Sequence, residues 1–363
     1  MPQLSPLHDL TTHQGAVYVE EEGWQMPAHF GDAMEEYQTA LNGCVIFDRS
    51  HCGKTETVGP EAGRFLHNLC TNDVMKLEPG TGCAAYLTTG QAKIVACAVI
   101  YRPALPEGKE SYHLDVGPGM GPKVAGHLGR YLISERLEIV DRTLEWAQVH
   151  VAGALARSVL GKAFGDFSAL FDNRTETLGD VSCQIRRAEP LGLPGYDLLC
   201  PVADAQKLWS TVTAAGARPA GLETYHVLRI EAGTPQYGID VDETNLPQEV
   251  GQIEQTVSFT KGCYIGQETV ARIRTYGHVN RYLAGLTVAG DATVPHGAKV
   301  YRESQETGVV TSSALSSRLH KVLALAYLRR GHQQAGTTVE IETAGSRRSA
   351  EVSDLPFTVP PAP

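Results

Sequence analysis

The segment 258–277, SFTKGCYIGQETVARIRTYG, places Cys263 two residues after Lys261 and just before a run of good helix formers. The apolar spacing and the i,i+4 pairing of Glu268 with Arg272 predict a helix in the second half of this segment. A helix N-terminus and a nearby ammonium group both favour a thiolate. We therefore predict that Cys263 is the low-pKa thiol of this chain, tuned by Lys261. The alternative is a small buried thiol that only packs.

Four further residues of the same segment support a role for the cysteine. Gly262 and Gly266 permit a tight turn. Gln267 and Glu268 follow directly, and they either cap and orient the segment or take part in catalysis. Both interpretations stay open for these two side chains.

Other motifs with chemical meaning are weak. GPGMG, residues 117–121, follows a strand-like stretch, but Pro118 and Pro122 remove two of the N–H donors that a phosphate-binding turn needs. We therefore predict a plain strand-to-helix turn. The thirteen histidines are dispersed and show no H-E-x-x-H spacing, and no C-x-x-C pair occurs, so we expect no metal site. The sequence contains no G-x-S-x-G elbow, so this motif gives no indication of a hydrolase.

Composition and charge limit the class of protein. A length of 363 residues predicts two or three domains, and 42% hydrophobic with 20% charged residues is typical of a folded protein. With 31 Lys plus Arg against 41 Asp plus Glu, the net charge of -10 argues against direct nucleic-acid binding. Eight scattered cysteines favour a cytoplasmic location, and the lack of a long apolar stretch argues against export or membrane insertion.

Strand-like and helix-like segments alternate through the first two thirds of the chain. Residues 59–73 predict a packing helix, and KIVACAVIY, residues 93–101, predicts a strand buried on both faces. Two later helices are expected to end at glycines, Gly216 and Gly233. Residues 234–262 show little periodicity, which predicts a functional loop or an interdomain crossing.

The pattern of the last eighty-odd residues predicts strands almost throughout. Six short β-rich stretches, separated by Gly, Ser and Pro, follow Gly277 and predict a small barrel or sandwich. The change of pattern indicates a domain boundary here, which divides the chain into residues 1–276 and 277–363.

KGCYIGQE, residues 261–268, resembles the K-G-C-Y-x-G-Q-E signature of the YgfZ family, which is related to the aminomethyltransferase (T-protein) of the glycine cleavage system. The resemblance covers essentially the whole chain. Four further segments look like T-protein segments in order and spacing: GWQMPAHFGDAMEEY (23–37), FDRSHCGKTETVGPEAGRFLHNLCTNDV (47–74), LRIEAGTPQYGIDVDETNLPQE (228–249) and GVVTSSALSSRLHKVLALAYL (308–328).

This resemblance implies an α+β fold, a three-lobed cloverleaf of the T-protein type with a C-terminal small β-barrel. Residues 1–276 would form the two aminomethyltransferase-like, folate-binding lobes. The central channel would accept tetrahydrofolate or a related folate as its small-molecule ligand. Tyr264 and Gln267 would be among the folate contacts.

Two more folate contacts follow from the resemblance. Arg229 matches the arginine that holds the carboxylate end of folate in T-proteins, a contact that suits a guanidinium. The alternative for Arg229 is a salt bridge with Glu231 or Asp240. Tyr237 also matches a family position, where it would line the channel or simply pack as an aromatic.

The chain departs from T-proteins at three places. The acidic pair of the strand that positions the folate amine is replaced by Ala96 and Cys97, so no carboxylate remains there. Leu193 takes the place of a pterin-binding glutamate, which removes a hydrogen bond. Gly117 and Met120 replace two asparagines. These losses argue against aminomethyl transfer in glycine cleavage.

The leading hypothesis is a YgfZ-like accessory protein for assembly or repair of iron–sulfur clusters. Such proteins support cluster-dependent enzymes, including tRNA-modifying enzymes, so clients or assembly proteins would be partners. Cys263, at the mouth of the folate channel, would ligate iron transiently, exchange with a disulfide or persulfide, or accept a one-carbon unit. One cysteine cannot hold a cluster, which needs about four ligands.

Two alternatives belong to other classes. The chain could be a folate-dependent one-carbon transferase or demethylase with an unidentified substrate, using Glu268, Asp240 or Asp242 as its base. It could also be a binding scaffold in which Arg229 holds an anionic ligand and no chemistry occurs.

Overall fold

The computed structural model describes residues 1–106, 109–161, 167–343 and 345–357. Strands and short helices are mixed throughout this part of the chain, which confirms the predicted α+β class. The described strands are, in chain order, β1 (Gln3–Leu4), β2 (Val17–Glu21), β3 (Trp24–His29), β4 (Val45–Asp48), β5 (Cys52–Val58), β6 (Thr81–Thr88), β7 (Ile94–Arg102), β8 (Ser111–Pro118), β9 (Glu138–Asp141), β10 (Trp146–Ala152), β11 (Asn173–Leu178), β12 (Val181–Arg187), β13 (Gly195–Pro201), β14 (Arg218–Pro219), β15 (Arg281–Val288), β16 (Lys299–Arg302), β17 (Gln305–Ser316), β18 (Lys321–Arg329), β19 (Thr338–Thr343) and β20 (Ser346–Ser353).

The helices are short and lie mostly between strands. Two single 3-10 turns of the described residues, Val74–Lys76 and Val202–Asp204, accompany them. The described α-helices are α1 (His8–His13), α2 (Ala33–Asn42), α3 (Ala62–Leu69), α4 (Gly121–Gly129), α5 (Ala156–Leu160), α6 (Ala205–Ala214), α7 (Leu222–Glu231), α8 (Pro247–Val250), α9 (Ile253–Thr256) and α10 (Gln267–Tyr276).

One lobe is built on a sheet with strand order β6-β7-β8-β5-β9 within the described residues. The apolar run from Ile94 to Tyr101 is its strand β7, as predicted, and most of its side chains are buried. Helix α3 packs Phe65, Leu66 and Leu69 into the core of this lobe, which confirms the predicted packing helix. The GPGMG run joins β8 to α4, so it is the predicted strand-to-helix turn.

A second lobe is built on a sheet with order β11-β12-β13-β10-β4-β14 in the described chain. Its core surrounds the fully buried Trp209 of α6. Helices α6 and α7 are followed at the C′ position by Gly216 and Gly233, whose φ angles of 116° and 68° are left-handed and favour glycine. Both glycines therefore end their helices as predicted. A small sheet of order β1-β3-β2 lies near the N-terminus.

The C-terminal strands close into a barrel of order β15-β18-β17-β16-β19-β20 within the described residues. This confirms the predicted barrel and each of its six strands. Alternating side chains such as Leu286, Val310 and Leu328 fill its interior. Leu323 and Leu325 instead pack outward against Ile230 of α7, so the barrel is joined to the second lobe through an apolar contact.

Residues 234–262 contain two one-turn helices, α8 and α9, despite their weak periodicity. Val250 and Val257 from this stretch pack against Tyr86 and Ile94 of the first lobe. The segment is therefore a packed crossing between the α7 region and α10.

Candidate functional site

A cavity of about 340 Å³ is lined by residues of both large sheets and of α7. Small apolar side chains form much of its wall. Its size and its mixture of apolar and polar groups are typical of a small-molecule site. The charged and amide side chains of the wall are Arg49, Asp115, Gln148, Glu189, Asp197, Gln252 and Gln255.

Arg49 lies in the turn between β4 and β5, at the cavity wall. Its backbone N–H donates to the carbonyl of Gln148 at 2.9 Å, which fixes the turn against β10. The guanidinium lies 4.1 Å from the ring centroid of Tyr225 on α7, a cation–π geometry. Arg49 is only 6% exposed, yet its Nη1 atom has no hydrogen-bond partner among the described residues. A buried donor of this kind is costly unless a ligand accepts from it.

The charge of Arg49 is maintained by its surroundings. Burial disfavours the charged form, but Cys52, Tyr225, Glu21 and Asp197 act electrostatically and raise the pKa of Arg49 above its usual value. The cavity wall therefore presents a cation.

Lys54 is a second buried cation of the same segment. Its ammonium group donates to the carbonyls of Ser50 at 2.9 Å and Cys52 at 2.6 Å. Burial lowers the pKa of Lys54 to about 8. Lys54 thus bonds to two carbonyls of the turn that carries Arg49 and holds that turn in place.

Two acceptors of the wall also lack partners. Gln148 of β10 is 5% exposed, and its Oε1 atom has no hydrogen-bond partner among the described residues. Asp115 of β8 accepts from Arg186 through Oδ1, whereas its Oδ2 has no partner in the same part of the chain. Buried polar atoms are nearly always paired, so these three atoms are free to bond a polar ligand or water in the cavity.

Asp197 supplies a carboxylate that the sequence interpretation overlooked. It lies on β13, lines the cavity, and its Oδ1 is 2.9 Å from Nδ1 of the buried His150. Leu193, expected at the pterin-contact position, is not a lining residue and packs against the Tyr225 cluster instead. The cavity therefore keeps an acidic group, Asp197, although Leu193 stands where T-proteins have a glutamate. A lone carboxylate within the apolar strand GYDLLCP was the available signal.

The strand that lacks the acidic pair presents a thiol to the cavity. Cys97 lines it, whereas Ala96 is fully buried in the core of the first lobe. Burial raises the pKa of the Cys97 thiol to about 12, so the group is neutral near pH 7. Gly117 is a lining residue as well, but Met120 packs in the core.

Arg229 is buried at the junction between α7 and the barrel. Its Nη1 atom donates to Asp240 Oδ2 at 2.7 Å and to the Thr234 carbonyl at 3.2 Å, and Nη2 donates to Ser312 Oγ at 2.9 Å. Its Nε donates to His226 Nδ1 at 3.1 Å. The salt bridge, one of the two sequence interpretations, is thus present. A contact between Arg229 and folate stays a prediction.

Tyr237 is half-buried and packs between two apolar clusters near the cavity. Its hydroxyl accepts from Lys123 Nζ at 3.0 Å, and the Lys123 ammonium lies 4.9 Å from the ring centroid. Gly117 is its neighbour, because a Cβ there would lie 3.8 Å from that of Tyr237. Packing, the second sequence interpretation, describes these contacts, and channel lining by Tyr237 stays a prediction.

Lys261 is buried and fully engaged. Its ammonium group donates to the backbone carbonyls of His67, Cys70 and Asn72, which uses all three of its protons. Burial lowers the pKa of Lys261. The observed contacts anchor the segment to the end of α3, and the predicted tuning of Cys263 stays a prediction.

Cys263 lies on the surface, three residues before Gly266, the N-cap of α10. The neighbouring Tyr264 is buried, and its N–H donates to Gln267 Oε1 at 3.3 Å, so Gln267 closes the turn. Glu268 is exposed in the first turn of the helix. The predicted helix is confirmed, and the capping interpretation fits Gln267.

Gly266 allows this turn to lie against a hairpin of the first lobe. Its φ is 86°, and a Cβ would come within 2.7 Å of the Thr89 carbonyl oxygen. The Thr88 hydroxyl donates to the Ile265 carbonyl at 2.7 Å. The predicted tight turn therefore needs glycine at this position.

The structure thus separates the predicted residues from the cavity. Five of them belong to the segment 261–268. The other two lie at the barrel junction and beside Lys123, and none of the seven lines the cavity. The predicted residues are Lys261, Cys263, Tyr264, Gln267, Glu268, Arg229 and Tyr237.

The described residues contain no group of three or more His, Cys, Asp or Glu side chains positioned to hold a metal ion. None of their helices has the length and apolar character needed to span a membrane.

Both parts of the chain match known protein domains. Residues 7–261 match the GCVT N-terminal domain, and residues 281–358 match the glycine cleavage T-protein C-terminal barrel domain. The chain is 30% identical over 366 residues to an aminomethyltransferase of Geobacillus kaustophilus, covering 98% of this chain and 99% of that protein. It is also 30% identical to an aminomethyltransferase of Rippkaea orientalis over 358 residues, covering 97% and 96% of the two chains.

A solved structure shows the same fold. The glycine cleavage system aminomethyltransferase T from Bartonella henselae superimposes with a TM-score of 0.87 at 22% identity, covering 99% of this chain and 98% of that one. This confirms the predicted T-protein fold with its C-terminal β-barrel. Together with the two domain matches, it shows that the chain belongs to the glycine cleavage T-protein family.

Proposed function

We propose that this chain binds a reduced folate in its cavity and acts as a YgfZ-like accessory protein in assembly or repair of iron–sulfur clusters. One contrast carries the proposal. Cys97, which by the resemblance stands in place of one carboxylate of the T-protein acidic pair, lines the cavity, whereas the thiol of Cys263 is exposed on the surface. The first feature argues against glycine-cleavage chemistry, and the second suits contact with a client protein.

The cavity residues fit a folate. Its heterocycle carries both hydrogen-bond donors and acceptors, which the unpaired Arg49 Nη1, Gln148 Oε1 and Asp115 Oδ2 complement. Arg49, Gln148 and Asp197 would hold the ring, and small apolar side chains such as Ala98 and Val99 would pack on it. A bound tetrahydrofolate would supply a carrier for one-carbon units.

The surface thiol supports the second part of the proposal. Cys263 is exposed, while Cys83 and Cys97 are half-buried and the remaining cysteines are buried. Lys261 and Gly266 fix the turn that carries it. A single thiol suits transient ligation of iron or thiol exchange with a client protein.

The test uses a host whose own copy of the gene has been removed. We expect Cys263→Ser to lose the ability to restore iron–sulfur enzyme activity and cluster-dependent tRNA modification, while Cys83→Ser, which removes a half-buried thiol, retains it. Restoration by Cys263→Ser at the wild-type level would contradict the role of the thiol and favour a binding scaffold.

A second candidate function is folate-dependent one-carbon transfer. Asp115 and Asp197 favour it, because they place carboxylates in the cavity. The bases expected from sequence lie elsewhere: Asp240 pairs with Arg229, and Glu268 and Asp242 are exposed. An isotope-labelled 5,10-methylenetetrahydrofolate incubated with cell extract would lose its label to an acceptor with wild type but not with Asp197→Asn. No transfer by the wild type would exclude this candidate.

A further inference from the structure

The hydrogen bonding of Arg49 at the cavity wall is incomplete. Its Nη1 atom is buried without a partner among the described residues, and one face of the guanidinium is covered by Tyr225. The edge of the guanidinium is what remains available to a ligand. A guanidinium edge offers only N–H donors, so the ligand atom facing it must be an acceptor.

The strands beside Arg49 carry acceptors. His150 pairs in register with Asp197 across β10 and β13, and Gln148 lies two residues before His150, on the same face of β10. The backbone N–H of Arg49 is bonded to Gln148. A donor, a carboxylate and an amide oxygen thus all line the same cavity.

This arrangement matches one edge of a heterocycle. A 2-amino-4-oxopteridine carries a ring oxo group, an accepting atom, next to an N–H and an amino group, which both donate. The two donors suit a carboxylate such as that of Asp197, and the oxo group suits a guanidinium.

We propose that Arg49 makes the cavity selective for the 4-oxo form of a pteridine ring over the 4-amino form. The inference deepens the folate binding proposed above and rests on it. A 4-amino group would place a donor against the donors of Arg49 and leave both unpaired. Sites built around such buried polar groups reject analogues that cannot pair with them.

Arg229 does not offer an equivalent contact. Four N–H groups of its guanidinium are already directed to protein acceptors, among them Asp240. Neither N–H of Arg49 Nη1 has a partner among the described residues, so Arg49 has more donor capacity left for a ligand than Arg229.

The experiment compares tetrahydrofolate with tetrahydroaminopterin, which differ at the 4-position. Their dissociation constants are measured anaerobically by calorimetry for wild type, Arg49→Met and Arg49→Lys. We expect wild type to prefer the 4-oxo ligand by about tenfold or more. Arg49→Met should lower that preference to about twofold or less, and Arg49→Lys, which keeps a charged donor, should fall between.

The ratio of the two constants keeps the test valid if a variant is partly unfolded, because the unfolded fraction cancels. Arg218→Met, which removes an exposed arginine of the same sheet, should keep the wild-type ratio. An unchanged preference in Arg49→Met, or equal binding of both ligands by wild type, would overturn the inference while folate binding stands. Wild type that binds neither ligand would overturn the folate proposal and this inference together.

Discussion

The regions around Arg49 and Arg229 treat a buried arginine in opposite ways. Both residues are almost inaccessible, with exposures of 6% and 4%. At the barrel junction, Arg229 bonds to Asp240, Thr234, Ser312 and His226. At the cavity wall, Nη1 of Arg49 has no partner among the described residues. Burial alone therefore does not identify a ligand-binding cation, whereas the inventory of its hydrogen bonds does.

The two buried lysines extend this comparison. Lys261 resembles Arg229, because three carbonyls accept all of its protons. Lys54 lies between Arg229 and Arg49 in its degree of hydrogen bonding. It has two carbonyl acceptors, and burial lowers its pKa to about 8. The degree of pairing should determine how each substitution changes stability.

Asp240→Ala should have the largest effect. Asp240 accepts from Arg229 and the Gln236 N–H through Oδ2, and from Thr311 and Ser312 through Oδ1. Its loss would leave a buried guanidinium uncompensated, so we expect urea unfolding to show a loss of about 3–5 kcal/mol.

The control for this change is Asp242→Ala. That side chain is exposed and accepts from the Thr244 N–H at 2.7 Å, so we expect a loss of about 1 kcal/mol or less. Equal losses for the two variants would show that the Arg229 region is not a buried structural pair.

Lys54 predicts a pH effect of intermediate size. Burial lowers its folded pKa to about 8, below the 10.5 of an ordinary lysine. Between those pH values the unfolded chain binds a proton that the folded chain has released, so the contribution of Lys54 to stability rises with pH. The free energy of unfolding of wild type relative to Lys54→Met should increase by about 1–3 kcal/mol across this range.

Urea unfolding at several pH values between 7.5 and 10.5 measures this difference. Lys207→Met, at an exposed site, controls for the removal of a positive charge. A constant difference between wild type and Lys54→Met would mean that the folded protein keeps Lys54 protonated throughout.

Arg49→Met should have the smallest effect on stability, about 1 kcal/mol or less in either direction. The variant loses the cation–π contact with Tyr225 but also removes a buried donor without a partner, and these changes oppose each other. Thermal and urea unfolding of the unliganded protein would measure this change in the free energy of unfolding. A loss near that of Asp240→Ala would erase the distinction between the two regions and make Arg49 a structural residue.

Elements with a strong local pattern were predictable from sequence. The barrel strands alternate between inward and outward side chains, α3 has one apolar face, and Gly216 and Gly233 mark the ends of α6 and α7. In each case a few consecutive residues carry the whole signal.

The cavity was not predictable in this way. Arg49, Asp115, Gln148 and Asp197 come from four separate segments that lie far apart in the sequence. Only tertiary packing places them around one space. The surface motif around Cys263 was found for the opposite reason, because its residues are consecutive and its turn requires glycine at a set position.

The turn that carries Cys263 is held on both sides before any partner arrives. Lys261 ties it to the end of α3, and Gly266 and the Thr88 hydroxyl hold it against the hairpin that leads into β7. A partner that contacts this thiol would meet a preorganised surface. Association would therefore lose little conformational entropy on this side of the complex, and the ordering cost would fall on the segment that the partner contributes.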